Sequence, residues 1–195
     1  MRKPLPLAPL VDALRARSEP VLAGEQAAAA VATILRDGPG GAEVLFIERA
    51  TRDGDPWSGH VAFPGGKRDG VDASLLDTAV RETREEIGLV LQAASVLARL
   101  EDVVARSNGY RVAQFVFVLD DPAPALHVNG EVAAVWWTPL SALASPEREG
   151  TVTTIARDGV SLQVPSVLLG DRVLWGMTYR MIQQLLELAG ARAGA

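Results

Sequence analysis

The chain has 195 residues and a mass of 20.7 kDa, a size that predicts one domain over residues 1–195. Its content of 48% hydrophobic and 22% charged residues excludes a fibrous or wholly disordered protein. The net charge of −5 argues against binding of nucleic acid, whose phosphates it would repel. Because the chain has no cysteine, it lacks disulfides and thiol nucleophiles, and any metal must be held by oxygen or histidine ligands.

No stretch of the sequence predicts a membrane span or a secretion signal. The longest uncharged run, Val132 to Pro146, is shorter than the ~18 to 20 apolar residues that a bilayer requires. The segment from Met1 to Pro9 is interrupted by prolines and has no apolar signal core. We therefore expect a soluble, cytoplasmic protein without membrane contact.

The apolar residues predict alternating strands and helices. Helical spacing at Leu7, Leu10, Val11 and Leu14 predicts an N-terminal helix over about residues 5–17, ending near Ser18-Glu19-Pro20, as a lid or a packing helix. Two runs at 27–35 and 44–47, separated by glycines, predict a hairpin. Further strands are predicted at 95–105, 112–119, 132–137, 151–155 and 160–164, the last two joined by Asp158-Gly159. Helices are predicted at 74–87 and about 175–189, which gives an α/β fold with a mixed sheet covered by helices.

Three glutamates share one face of the helix predicted at 74–87. At 100° per residue, Glu82, Glu85 and Glu86 fall within an arc of about 100°. Glu82 and Glu86 stand four residues apart, where like charges cost roughly 0.2 to 0.5 kcal/mol. Arg81 points nearly opposite Glu86 and cannot neutralise the whole cluster, whereas a hard divalent cation binds several carboxylates at once. The pattern therefore favours Mg²⁺ or Mn²⁺, although a solvated helix face has the same composition.

A glycine pair precedes this helix. Gly65 and Gly66 lack the Cβ atom and can turn backbone amides or carbonyls towards a phosphate or a metal, while Pro64 fixes the approach to the bend. A glycine pair alone is a weak indication of such a site. Combined with the glutamate face, it predicts a loop and a helix that bind a metal and a phosphate together.

The two features together resemble the signature of Nudix hydrolases, in which a glycine loop leads to Arg-Glu-x-x-Glu-Glu-x-Gly, here Arg81 to Gly88. The resemblance implies a Nudix-type α/β/α sandwich and hydrolysis of a diphosphate linked to another group. It implies metal ligation by Glu82, Glu85 and Glu86, with Arg81 orienting them. Eight residues rather than the usual seven separate Asp72 from Arg81, and Asp72 replaces the usual glutamate, so the roles of Asp72 and Asp69 stay open. The general base also stays open between Glu85 and Glu131.

A second stretch resembles the coenzyme A pyrophosphatase branch of that family. Arg49, Gly59 and Phe63-Pro64-Gly65-Gly66 are similar to its accessory motif, and Trp175-Gly176-Met177-Thr178 to a late segment. Asp55 stands where the motif has an arginine, and the gap from Arg49 to Gly59 is one residue longer than in the motif. The branch implies cleavage of coenzyme A or its derivatives into adenosine 3',5'-bisphosphate and 4'-phosphopantetheine.

The residues expected to bind this diphosphate flank the glycine pair: Gly65, Gly66, Arg49, Lys67 and Arg68, with Arg52 as a further cation. Trp57 and His60 either contact the substrate or pack structurally. Two other functions remain: a Nudix enzyme for ADP-ribose, NADH or a dinucleoside polyphosphate, and a ligand sensor without catalysis. A homodimer through an apolar edge strand is also left open.

Overall fold

The computed structural model describes residues 3–16, 27–55, 57–105, 109–155 and 159–191, which form ten strands and four α-helices. In chain order these are α1 (Leu7–Ala16), β1 (Ala29–Gly38), β2 (Gly41–Arg49), β3 (Val61–Ala62), β4 (Gly65–Lys67), α2 (Leu75–Ile87), β5 (Val96–Val104), β6 (Arg111–Val118), β7 (Val132–Pro139), α3 (Leu140–Leu143), β8 (Glu149–Ile155), β9 (Ser161–Leu169), β10 (Arg172–Trp175) and α4 (Gly176–Leu188).

Seven strands form a mixed sheet, as the sequence predicts. Its main order is β3-β2-β1-β6-β5, while β4 pairs with β1 and β7 pairs with β2. Strands β1 and β6 run parallel, and the other pairs are antiparallel. The predicted β1–β2 hairpin is present, closed where Gly38 pairs with Gly41.

Helices pack on both faces of this sheet. On one face, β-strand residues such as Ile34 and Phe117 form a buried cluster with Ala79 and Ile87 of α2. On the other face, Leu35 and Phe46 pack with α1 and α4 residues, which are Leu10, Leu14, Ile182 and Leu185. The α/β/α sandwich is therefore confirmed. Within the described residues, no helix has the length and apolar character needed to cross a bilayer.

The chain ends of the fold differ from the predictions in detail. Leu10 and Leu14 are buried, so α1 is a packing helix. Its predicted end near Ser18 lies outside the described residues, and so does Asp158 of the predicted turn between the last two strands. Trp175 closes strand β10 by pairing with Ser166, and α4 begins only at Gly176. Strands β8, β9 and β10 form a separate antiparallel sheet. The sequence pattern misses β10 because its four residues are too few to show a period.

Candidate active site

Helix α2 is fixed at both ends. The Ser74 hydroxyl oxygen caps its first turn by accepting the Asp77 N–H at 3.1 Å. Gly88 ends the helix in the left-handed conformation at φ 69°, and its N–H donates to the Arg84 carbonyl. A Cβ atom at Gly88 would also lie 3.2 Å from the His127 Cβ. The caps therefore set where the helix presents its glutamates.

Arg81 binds two of these glutamates. Its Nη1 lies 2.9 Å from a Glu85 carboxylate oxygen, and its Nη2 lies 3.0 Å from Glu82 Oε1. Nη2 also donates to the Lys67 carbonyl at 3.2 Å. The guanidinium thus lies between the helix and strand β4, in the position of a residue that orients carboxylates.

Asp72 anchors Arg81 from the opposite side. Its two carboxylate oxygens accept from Arg81 Nε at 2.8 Å and Nη2 at 2.9 Å. The Thr78 hydroxyl and the Asp69 N–H donate to the same carboxylate, both at 2.9 Å. The side chain is only 3% exposed, and the Arg81 hydrogen bonds hold the pKa of Asp72 well below its ordinary value. The role that the sequence left open for Asp72 is therefore that of a buried anion holding Arg81.

Glu86 has the opposite environment. It is 3% exposed, and its Oε2 accepts one hydrogen bond, from the Gly65 N–H at 2.9 Å. Burial raises the pKa of Glu86 to about 8, although the Gly65 hydrogen bond opposes the shift, and the Glu82 charge adds to it. Burial also raises the pKa of Glu82, although Arg81 opposes that shift. The positive side chains of the protein therefore do not fully neutralise the negative charge of these two carboxylates.

The glutamates do not form a ready-made metal cage. Across the described ranges, no three Asp, Glu or His side chains are grouped closely enough to hold a metal ion. The expectation that Glu82, Glu85 and Glu86 converge thus differs from the structure, because Arg81 holds the first two while Glu86 faces Gly65. The donor set nevertheless fits a hard divalent cation, since Glu86 is a desolvated oxygen donor that no cationic side chain in the described part of the chain contacts.

The glycine pair forms strand β4 and not a free bend. Gly65 and Gly66 pair with Val31 and Ala30 of β1, so the Glu86 carboxylate is bonded to the edge of the sheet. A Cβ atom at Gly66 would lie 2.5 Å from the Glu82 carboxylate carbon. Glycine at position 66 thus leaves room for the Glu82 carboxylate, and the Gly65 amide serves Glu86 instead of a phosphate.

Among the predicted phosphate-binding cations, Arg49 acts electrostatically on the carboxylates, since its charge lowers the pKa of Glu86. Arg49 Nη2 pairs with Asp55 at 2.9 Å, while its Nε has no acceptor among the described residues. Arg68 donates to the Ala73 carbonyl at 2.9 Å and braces the loop before α2. The Lys67 side chain is exposed. No sequence signal predicts the Arg49–Asp55 pair, because Asp55 stands out only as a departure from the motif.

The loop between β2 and β3 is held together by its own hydrogen bonds. The Ser58 hydroxyl accepts from the Arg52 N–H at 3.0 Å and donates to the Arg52 carbonyl at 3.1 Å. Trp57 on this loop is 48% exposed. By contrast, the His60 ring packs edge-on against Trp175 with centroids 4.9 Å apart, and burial lowers the pKa of His60. Of the two residues left open by the sequence, His60 is packed and Trp57 is available.

Glu131 lies beside the helix carboxylates. Its negative charge contributes to the raised pKa values of Glu82 and Glu86. The segment before it is tied to the end of α2, because the Asn129 N–H donates to the Glu86 carbonyl at 2.9 Å. The Glu131 carboxylate pairs with Arg52 Nη2 at 3.0 Å. Glu131, which the sequence places at the start of a strand, therefore also lies at the rim of the candidate site.

An α/β/α sandwich whose glutamate-bearing helix is docked on a short glycine strand defines the Nudix class of domain. The sequence model of the Nudix domain matches residues 26–157, most of the chain. The chain therefore belongs to the Nudix family.

Comparisons with individual proteins agree with this assignment. A Schizosaccharomyces pombe protein of unassigned function is 41% identical over 112 residues, which cover 53% of this chain. A Yersinia pestis protein named Nudix hydrolase NudL is 33% identical over 130 residues, or 67% of this chain. The matches span 34% and 64% of those proteins' own length. A MutT/nudix family structure from Enterococcus faecalis has the same fold, with a TM-score of 0.55 over 94% of this chain and 74% of its own, at 19% identity.

Proposed function

We propose that this domain hydrolyses the diphosphate of coenzyme A or its derivatives, using Mg²⁺ or Mn²⁺. The observation that carries the proposal is the buried Glu86 carboxylate, which lies one helical turn from Glu82 and is bonded to no cationic side chain of the described residues. Two desolvated carboxylates in one place cost stability unless a cation joins them. Arg49 nearby supplies the positive charge that a diphosphate requires.

The metal would be held by Glu82, Glu85 and Glu86. When bound, a divalent cation supplies Lewis acidity and charge neutralisation for phosphoryl transfer. Arg81 and Asp72 hold Glu82 and Glu85 in position, while the Gly65 amide fixes Glu86. Glu85 and Glu131 are both candidates for accepting a proton from the attacking water, and each carboxylate is bonded to one arginine, Arg81 at 2.9 Å and Arg52 at 3.0 Å.

Two contacts support coenzyme A as the substrate. The stretches that resemble the coenzyme A branch lie far apart in sequence, but the His60 and Trp175 rings meet at 4.9 Å. The backbone N–H of Arg49, the arginine of the accessory motif, donates to the His60 carbonyl at 3.1 Å. The accessory and late segments are therefore in contact with each other. Trp57 projects from the same loop and is our candidate for stacking on the adenine.

The test is product analysis with the purified protein and Mg²⁺ or Mn²⁺. Coenzyme A, ADP-ribose, NADH and diadenosine polyphosphates are incubated separately, and the products are separated by liquid chromatography and mass spectrometry. We expect adenosine 3',5'-bisphosphate and 4'-phosphopantetheine from coenzyme A, and no products after chelation of the metal. Hydrolysis in ¹⁸O-labelled water identifies the attacked phosphorus.

Each alternative gives a distinct result in the same panel. Faster turnover of another dinucleotide would replace coenzyme A as the substrate while keeping the hydrolase. Binding of coenzyme A without products would favour the ligand sensor. Turnover that resists chelation would contradict the metal assignment.

A further inference from the structure

Strand β8 has an unpaired edge. It is the outer strand of the three-stranded sheet β10-β9-β8, and no second strand in the described part of the chain pairs with it. An open edge presents backbone N–H and C=O groups to other strands, and proteins commonly protect such edges with proline or lysine. Residues 149–155, with the sequence Glu-Gly-Thr-Val-Thr-Thr-Ile, contain neither. The edge is therefore suited to pairing with another strand.

Apolar side chains are exposed on this hairpin. Ile155 is 74% exposed and Leu162, which pairs with Thr154, is 40% exposed. Val152 pairs with Val164 across the two strands, and both are half-buried. Such a combination of an open edge and exposed apolar residues is typical of an interaction surface.

We propose that the edge of β8 pairs antiparallel with β8 of a second copy of this chain, about a two-fold axis at Val152. In this register Thr151 lies opposite Thr153 of the second copy, and Val152 lies opposite its counterpart. The existing Val152–Val164 pair is thereby extended into a row of four valines across four strands, β9 and β8 of each copy. Three-stranded sheets from two subunits thus become one continuous sheet.

The charge pattern of the strand suits antiparallel pairing with a second copy. Glu149 is the only charged residue of β8, and antiparallel pairing about Val152 places it opposite Ile155 of the second copy. The two glutamates then lie at opposite ends of the interface, so no like charges meet. The aliphatic part of Glu149 also covers the exposed Ile155. A closed two-fold contact of this kind is the commonest form of assembly.

The test is the mass of the protein in solution, measured by sedimentation velocity over a range of concentrations, without any activity assay. The wild-type chain is expected to be a dimer. Changing both exposed threonines, Thr151→Lys and Thr153→Lys, puts lysines opposite each other twice and should weaken the dimer by at least about tenfold. The matched variant Thr151→Lys with Thr153→Glu puts each lysine opposite a glutamate of the second copy and should keep the dimer.

Circular dichroism and thermal unfolding show that each variant is folded, and Gln163→Lys on the inner strand β9 controls for added charge. A monomeric wild-type protein overturns the proposal. A dimer that survives both lysines must use another surface and also overturns it. If the lysine–glutamate variant dissociates as readily as the double lysine, the register about Val152 is wrong.

Discussion

Replacing Asp72 by asparagine tests the ion pair that orients the site. The substitution keeps the shape but removes the charge that Arg81 Nε and Nη2 contact at 2.8 and 2.9 Å. Breaking a buried ion pair from one side costs about 3 to 5 kcal/mol. Arg81 is 24% exposed and keeps its ion pairs with Glu82 and Glu85. We therefore expect the free energy of unfolding to fall by about 3 kcal/mol, near the lower bound of that range. For a chain of this size that loss lowers the Tm by roughly 6 to 12 °C.

The loss should depend on pH with a defined sign. The pKa of Asp72 is lowered from its ordinary value of 3.8, so its ionised form is favoured in the folded state. The stabilisation is therefore complete at pH values above 3.8 and is lost as the pH falls further, through the lowered folded-state pKa. The difference between wild type and Asp72→Asn should be constant near neutral pH and shrink in acid.

Urea unfolding at several pH values measures this difference. Asp171→Asn is the matched control, because Asp171 is 84% exposed and its 3.2 Å pair with Arg172 is solvated. We expect that variant to change the stability by less than about 0.5 kcal/mol. If both variants lose the same small amount at neutral pH, the Asp72–Arg81 pair does not stabilise the fold and the reasoning fails.

Three further substitutions test the site. Glu86→Gln should lower kcat by about 10²–10³-fold with an unchanged circular dichroism spectrum, because it removes a carboxylate ligand of the divalent cation that would neutralise the phosphoryl charge. The exposed Glu187→Gln should leave kcat unchanged. Gly66→Ala should lower kcat by about a hundredfold at nearly unchanged Tm, because the added Cβ displaces the Glu82 carboxylate. A normal kcat would contradict the close contact between residue 66 and Glu82. Trp57→Ala should raise KM for coenzyme A by about fivefold or more at constant kcat, while Trp57→Phe should restore stacking. Equal KM values for the wild type and both variants would refute the adenine contact.

The parts of the fold that follow from a period were predictable. Helix α2 spans Leu75–Ile87, and the sequence predicts 74–87, because its apolar face and its capping residues are local signals. Strands β3 and β4 have two and three residues, too few for an alternation to be seen. They exist because β1 and β2 supply backbone partners, which is information from distant parts of the chain.

The sequence predicts residues for the candidate site but not their geometry. Helical spacing places Glu82, Glu85 and Glu86 on one arc and cannot show that Glu86 turns to the Gly65 amide. The Arg49–Asp55 pair was not predicted either, since it joins a strand end to a loop whose conformation depends on Ser58. Contacts of this kind depend on tertiary packing and leave no periodic trace in the sequence.

Asp72 and Glu86 show how one small site separates structure from chemistry. Both carboxylates are nearly inaccessible, yet Asp72 receives four hydrogen-bond donations and Glu86 receives one. Their pKa values accordingly shift in opposite directions, down for Asp72 and up for Glu86. A carboxylate whose charge is fully compensated gains little from a metal, whereas an undercompensated one gains much. The loop before α2 therefore tolerates the extra residue before Arg81. It needs only to place the Asp72 carboxylate in contact with Arg81, and it leaves the contact between Glu86 and the sheet unchanged.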